Sequence, residues 1–202
     1  VATSRVYLEE GARSVFAVSL DWPGWCRREK TSELAIAALE QYRDRYAKIV
    51  PAAFQSGSFD VVGTARGNAT TDYGAPDARG PWDEIELSES ELARQMDVLQ
   101  DCWNYFDTVV EHAPLVLRRG PRGGGRDRDH IVDHVREAER AYCSRMGFRV
   151  APRTPWDEQR DVVLTTLRAA APTATWPTAY AIRRCAWHVL DHAWEIEDKS
   201  DA

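Results

Sequence analysis

The chain has no long apolar run: nothing in its 202 residues approaches the stretch of about 18 needed for a transmembrane helix, so no membrane span is expected. Cysteine is sparse. Cys26, Cys102, Cys143 and Cys185 are far apart and form no Cys-x-x-Cys, so they read as reduced thiols of a cytoplasmic protein. Excess positive charge is missing too. A net charge of −6 argues against a protein that coats nucleic acid. The opening Val1–Arg5 does not read as a signal peptide. No Gly-x-Ser-x-Gly motif occurs, which leaves a serine hydrolase poorly supported. Histidine is also rare, with five in the chain, but its placement is far from random.

What is present is enough for a core. Hydrophobic residues make up 44%, and eight tryptophans read as core and interface filler or as pocket walls. The pattern predicts an α+β chain: a small β-β-α-β unit over 1–68, a linker over 69–81, and a four-helix bundle over 82–202. Arg5–Glu9 and Val15–Leu20 read as a hairpin, and Asp21–Trp25 as a Pro-Gly turn. Thr31 or Ser32 caps a helix expected to reach Val50, and Phe59–Thr64 reads as a third strand. Further on, Ser88 to Glu91 is a capping-box signature opening a long helix that stops before Pro114. Asp127 or Asp129 opens a second helix, ended by Gly147. Thr154 and Pro155 open a third, and Pro177 a fourth that reaches about Asp198. Four helices joined by three loops read as a bundle.

Four of the five histidines fall in two His-x-x-Asp-His pairs, His130/His134 and His188/His192. Histidines at i and i+4 differ by about 40° around a helix axis, so both rings can reach one ion. That geometry suits a late first-row metal. A third ligand must come from another helix, and His134 is the natural choice beside His188 and His192. Glu195, one turn beyond His192, is a fourth ligand, a hydrogen-bond acceptor behind a ligand, or a catalytic base. Asp133 and Asp191 sit about 100° away from their histidines on the wheel, which suits capping or pairing better than ligation. His130 lies near a helix start, at a pocket rim or in solvent. His112 precedes a helix stop, where a cation suits the helix dipole, and reads as structural.

These residues carry a resemblance. Asp133–Glu139, where His134 is followed by an Ala-Glu step, and Trp187–His192, with its His-x-x-x-His spacing, resemble the DinB/YfiT-like superfamily of four-helix metal proteins. The order is similar as well, with a long leading helix and the histidine pair on the last helix; the likeness covers about 82–198. It implies a divalent metal, zinc or nickel foremost, on His134, His188 and His192. It also implies transfer or isomerisation chemistry using a low-molecular-weight thiol as co-substrate. Family members often carry Gln three residues after the last histidine, where this chain has Glu195. The N-terminal third resembles the HicB-like fold more faintly, through Asp21–Cys26 and the helix start Thr31–Ala35. With no DNA-binding tail behind it, an antitoxin role is not expected. Such a unit would instead close the metal pocket, form a homodimer or recruit a partner chain.

The segment Arg118–Arg128 holds five arginines among glycines and leads into the first histidine helix. Arginine forks match carboxylates and phosphates, so Arg122, Arg126, Arg128 and His130 are candidate substrate-binding residues. This segment lacks a Lys-Ser/Thr step, so it is not a P-loop. The opposing reading is a solvated loop whose arginines pair with the chain's own carboxylates. Two functions follow from the whole. One is a metal-dependent transferase, isomerase or hydrolase acting on a small, anionic molecule, with Glu195 moving a proton. The other is a metal-binding or protein-interaction module without turnover. A site that has lost its metal is a third.

Overall fold

The computed structural model describes residues 3–50, 54, 57–120, 125–169 and 173–200. Among them the chain is mixed α+β, with a four-stranded sheet near the N-terminus and seven helices, most of them C-terminal. It divides into two compact units, Val1–Asp101 and Cys102–Ala202.

In the first unit β1 (Thr3–Glu10) and β2 (Val15–Ser19) form the expected hairpin, with Leu8 opposite Ala17. β3 (Cys26–Glu29) adds antiparallel to β2, and β4 (Ser58–Arg66) adds parallel to β1, giving the order β3-β2-β1-β4. β3 is absent from the sequence reading. Its Cys-Arg-Arg-Glu has no apolar alternation, as befits a short charged edge strand. β4 slips register between the partners of Val6 and Tyr7, which leaves Val62 as an extra residue. The helix expected to run to Val50 breaks at Tyr42 into α1 (Ser32–Gln41) and α2 (Arg43–Ala47). Thr31 caps α1, accepting from the Leu34 amide at 3.3 Å. Trp25 is fully buried against these helices, stacked on Tyr46 and donating its indole N–H to the Leu39 carbonyl at 2.9 Å.

The stretch 69–81, expected to be a linker, is folded onto the sheet. It carries α3 (Ala69–Tyr73), capped by Asn68, and leads into a 3₁₀ turn at Pro81–Asp83. Asp72 accepts from the amides of Ala12 and Arg13 at 3.1 and 2.7 Å and so holds the β1–β2 turn. Thr71 and the Asp77 amide donate to Glu9, a carboxyl buried within β1. Polar composition predicted solvent here, but these side chains satisfy the sheet's own polar groups.

The long helices follow. α4 (Glu89–His112) crosses the division between units, then α5 (Arg128–Arg145), α6 (Trp156–Ala169) and α7 (Thr178–Ser200) lie in the second. Their ends match the punctuation. Ser88 accepts from the Glu91 amide at 3.3 Å. Gly147, at φ 91°, lets the Phe148 amide turn back to the Cys143 carbonyl at 3.1 Å. α5 packs on both α6 and α7. Glu139 of α5 is buried and accepts the indole N–H of Trp103 on α4 at 2.6 Å and that of Trp156 at the start of α6. α7 is buried on every side from Ala179 through Leu190, so its polar residues there are exceptions that need a reason. No helix among the described residues is long and apolar enough to cross a membrane.

Candidate metal centre

α5 contributes His134, and α7 contributes His188 and His192 one turn apart. Each offers one ring nitrogen, and the three nitrogens lie within 4.8 Å of one another. The Nε2 atoms of His134 and His188 are 3.2 Å apart. Two imidazole nitrogens on one tetrahedral zinc stand about 3.3 Å apart, from Zn–N bonds near 2.05 Å. The pair therefore already has the spacing of two ligands on one ion. The rings meet edge to face, with His192 at 88° to His134 and 87° to His188. That mutual tilt lets three rings converge on one point without stacking.

Two of the three donors, His188 and His134, are pushed toward the neutral form. Burial first, and then His192 and Arg184, push His188 well below the usual histidine range. Burial and His192 lower His134 as well. Neutral imidazole is the ligating form. His188 and His192 are buried, whereas His134 is exposed, so one side of the cluster faces solvent.

Glu195 stands behind His192 and takes the ring's Nδ1 at 2.8 Å, which directs Nε2 toward the other two histidines. Lys199 donates to the other carboxylate oxygen at 2.5 Å, and Arg126 reaches the group at 3.7 Å. Burial would raise this carboxyl, but the bonds from His192 and Lys199 overcome it and hold it down to about 2. Of the three roles open to Glu195 from sequence, the geometry matches the acceptor behind a ligand. A carboxylate held so low is a weak proton acceptor near neutral pH.

The remaining candidates divide. Arg126 is brought to the edge of the centre through Glu195. Arg128 is not: it bonds Asp129 and the Ala113 carbonyl, so its nitrogens hold the start of α5. His130 is exposed on the first turn of α5 and is not one of the clustered histidines. Arg122 lies outside the described residues. Arg119 pairs with Asp127 at 2.7 Å, and Arg118 donates to the Asp198 carbonyl at 2.7 Å, so the described arginines before Arg126 serve the chain's own acceptors. His112 bonds the Thr108 carbonyl at 2.7 Å at the end of α4, a structural role. All four cysteines are buried thiols outside any disulfide, and burial pushes Cys143 up to about 12. A thiolate at this centre would therefore come from outside the chain.

Sequence reasoning missed Arg184. It sits four residues before His188 on α7, and the i, i+4 rule applied to the first histidine of the pair would have found it. Its guanidinium lies 4.6 Å from the Trp187 ring centre and 5.4 Å from that of Tyr142.

Compared with protein-family models, curated proteins and solved structures, the chain matches none.

Proposed function

We propose that this chain is a divalent-metal enzyme of the DinB/YfiT-like kind, with His134, His188 and His192 holding zinc or nickel. The observation that carries the reading is the convergence of three imidazoles from two helices, one of them exposed. Three protein ligands leave a coordination position for water or substrate, which is how catalytic rather than structural sites are built. The helix contacts support the four-helix bundle that this reading requires: α5 touches α6 and α7, and Trp103 ties α4 to α5. The order of the histidines along the chain supports it too.

The metal, when bound, supplies Lewis acidity toward a carbonyl, or lowers the pKa of a bound water or thiol. The chain's residues do the rest. Glu195 keeps the proton of His192 on Nδ1 and so keeps Nε2 free to ligate. Lys199 and Arg126 fix that carboxylate in place. The exposed edge of His134 gives a small substrate its approach. Because the protein's thiols are buried, transfer or isomerisation would use a soluble low-molecular-weight thiol; hydrolysis would use water.

Elemental analysis of chelator-free protein, grown with zinc, nickel, iron and manganese, tests the reading. The expected result is one divalent metal per wild-type chain and none in His188→Ala. A wild-type chain without stoichiometric metal overturns it. Turnover is then screened with cellular thiols and with simple esters and amides. Metal-loaded protein that turns over none of them would favour the non-catalytic module.

A further inference from the structure

Arg184 is buried to all but 8% of its surface, in the helix that is itself the most buried of the second unit. Its Nε and Nη1 are enclosed without a hydrogen-bond partner. A buried guanidinium with unmatched donors is costly, because the charge has lost water and received no anion in return. The aromatic faces of Trp187 and Tyr142 offset part of this, but a ring face accepts no fork of N–H bonds.

The same face of α7 holds a second unmatched atom. His188 turns Nε2 toward His134, and its outer nitrogen, Nδ1, is buried without a partner. A ligating histidine ordinarily donates this N–H to a carboxylate or carbonyl. His192 has Glu195 for that purpose; His188 has no such acceptor. Arg184 and His188 are one helical turn apart and flank the same two rings. The His188 ring centre is 5.7 Å from that of Tyr142 and 5.8 Å from that of Trp187.

We propose that Arg184 and the outer nitrogen of His188 form a binding site for a small external carboxylate, which completes the metal centre as Glu195 does on the His192 side. The inference rests on the metal reading for its consequence, since the carboxylate would orient His188 and raise its basicity toward the ion. The site itself is a property of the bare chain. A monocarboxylate fits better than phosphate. One buried guanidinium balances one negative charge, and the nearby Arg126 is already shared with Glu195. The rings of Tyr142 and Trp187 suit an acid with an apolar body. Because binding linkage is reciprocal, carboxylate and metal would tighten each other's hold.

The experiment titrates benzoate, propionate and inorganic phosphate into metal-free full-length protein by calorimetry, and then titrates zinc with and without benzoate. Wild type is expected to bind benzoate and propionate, with phosphate at least about tenfold weaker. Arg184→Gln should lose roughly tenfold or more in benzoate affinity, the scale of hydrogen bonds to a charged group. Arg184→Lys, which keeps the charge and most of the stem, should lose less and guards against a folding defect in the glutamine variant. Benzoate should tighten zinc binding to wild type and leave zinc binding to Arg184→Gln unchanged. Equal benzoate affinity in wild type and both variants overturns the proposal, and so does phosphate binding as tightly as benzoate. Failure of the metal reading gives a different signature: benzoate binds in an Arg184-dependent way while zinc does not bind at all.

Discussion

The Nε2 atoms of His134 on α5 and His188 on α7 face each other at 3.2 Å. Two neutral rings in that arrangement share at most one proton between two nitrogens, and an ion that accepts both lone pairs is the better partner. Zinc or nickel should therefore raise the melting temperature, and a chelator should reverse the gain. At a hundred times the dissociation constant the stabilisation is about 2.7 kcal/mol. His134→Ala should abolish the gain while changing the metal-free chain by no more than about 0.5 kcal/mol, because His134 is exposed. A His134→Ala protein that zinc stabilises as strongly as wild type would remove His134 from the ligand set.

Glu195 acts through His192, so its loss should weaken metal binding without abolishing it. For Glu195→Gln the expected change is about 10- to 100-fold in affinity, with one metal still bound per chain at saturation. Competition with a chromogenic chelator measures this. An unchanged affinity would show that the 2.8 Å contact to His192 does not orient the ring.

Glu139 is the polar centre of the second unit, receiving Trp103 and Trp156 with Arg160 3.9 Å away. Glu139→Ala would leave the Trp103 N–H buried without an acceptor, and should cost about 3 kcal/mol by urea denaturation. Trp103→Phe keeps the ring and removes only the donor, so its cost should be about 1 kcal/mol. If Glu139→Ala melts within about 0.5 kcal/mol of wild type, the hub is not holding these helices.

Glu9 gives the first unit a pH signature. Burial raises its carboxyl above the ordinary range, although bonds from the Asp77 amide and Thr71 partly counter this. The folded chain then holds this proton to higher pH than the unfolded chain does. Its contribution to stability is complete below the ordinary carboxyl range and falls as pH rises through the folded value. Glu9→Gln cannot ionise. It should match wild type near about pH 4, where the carboxyl is largely protonated in both states, and exceed it near about pH 7. Melting temperatures that run parallel across that range would refute the assignment.

Much of the fold was legible because it is written locally. Ser88 and Gly147 mark helix ends through backbone bonds a few residues long, and the β1–β2 hairpin follows from apolar runs flanking a turn. The histidine spacing worked for the same reason, since i and i+4 share a helix face wherever the helix lies. β3 and the 69–81 segment failed for the opposite reason. Their place depends on neighbours distant in sequence, such as β2 for Cys26–Glu29 and the β1–β2 turn for Asp72.

The chain's pattern therefore settles where the four long helices start and stop, and which histidines can act as a pair. It does not settle what meets across elements. That His134 joins His188 and His130 does not depends on how α5 packs on α7. That Arg128 and Arg119 bond acceptors close by in the chain, while Arg184 is enclosed with donors unmatched, depends on which side chains the packing cuts off from water. Local propensity acts over about one helical turn. Burial and convergence are set by contacts between residues dozens of positions apart, and those are the contacts that bring the three histidine rings together and leave one side of the cluster open.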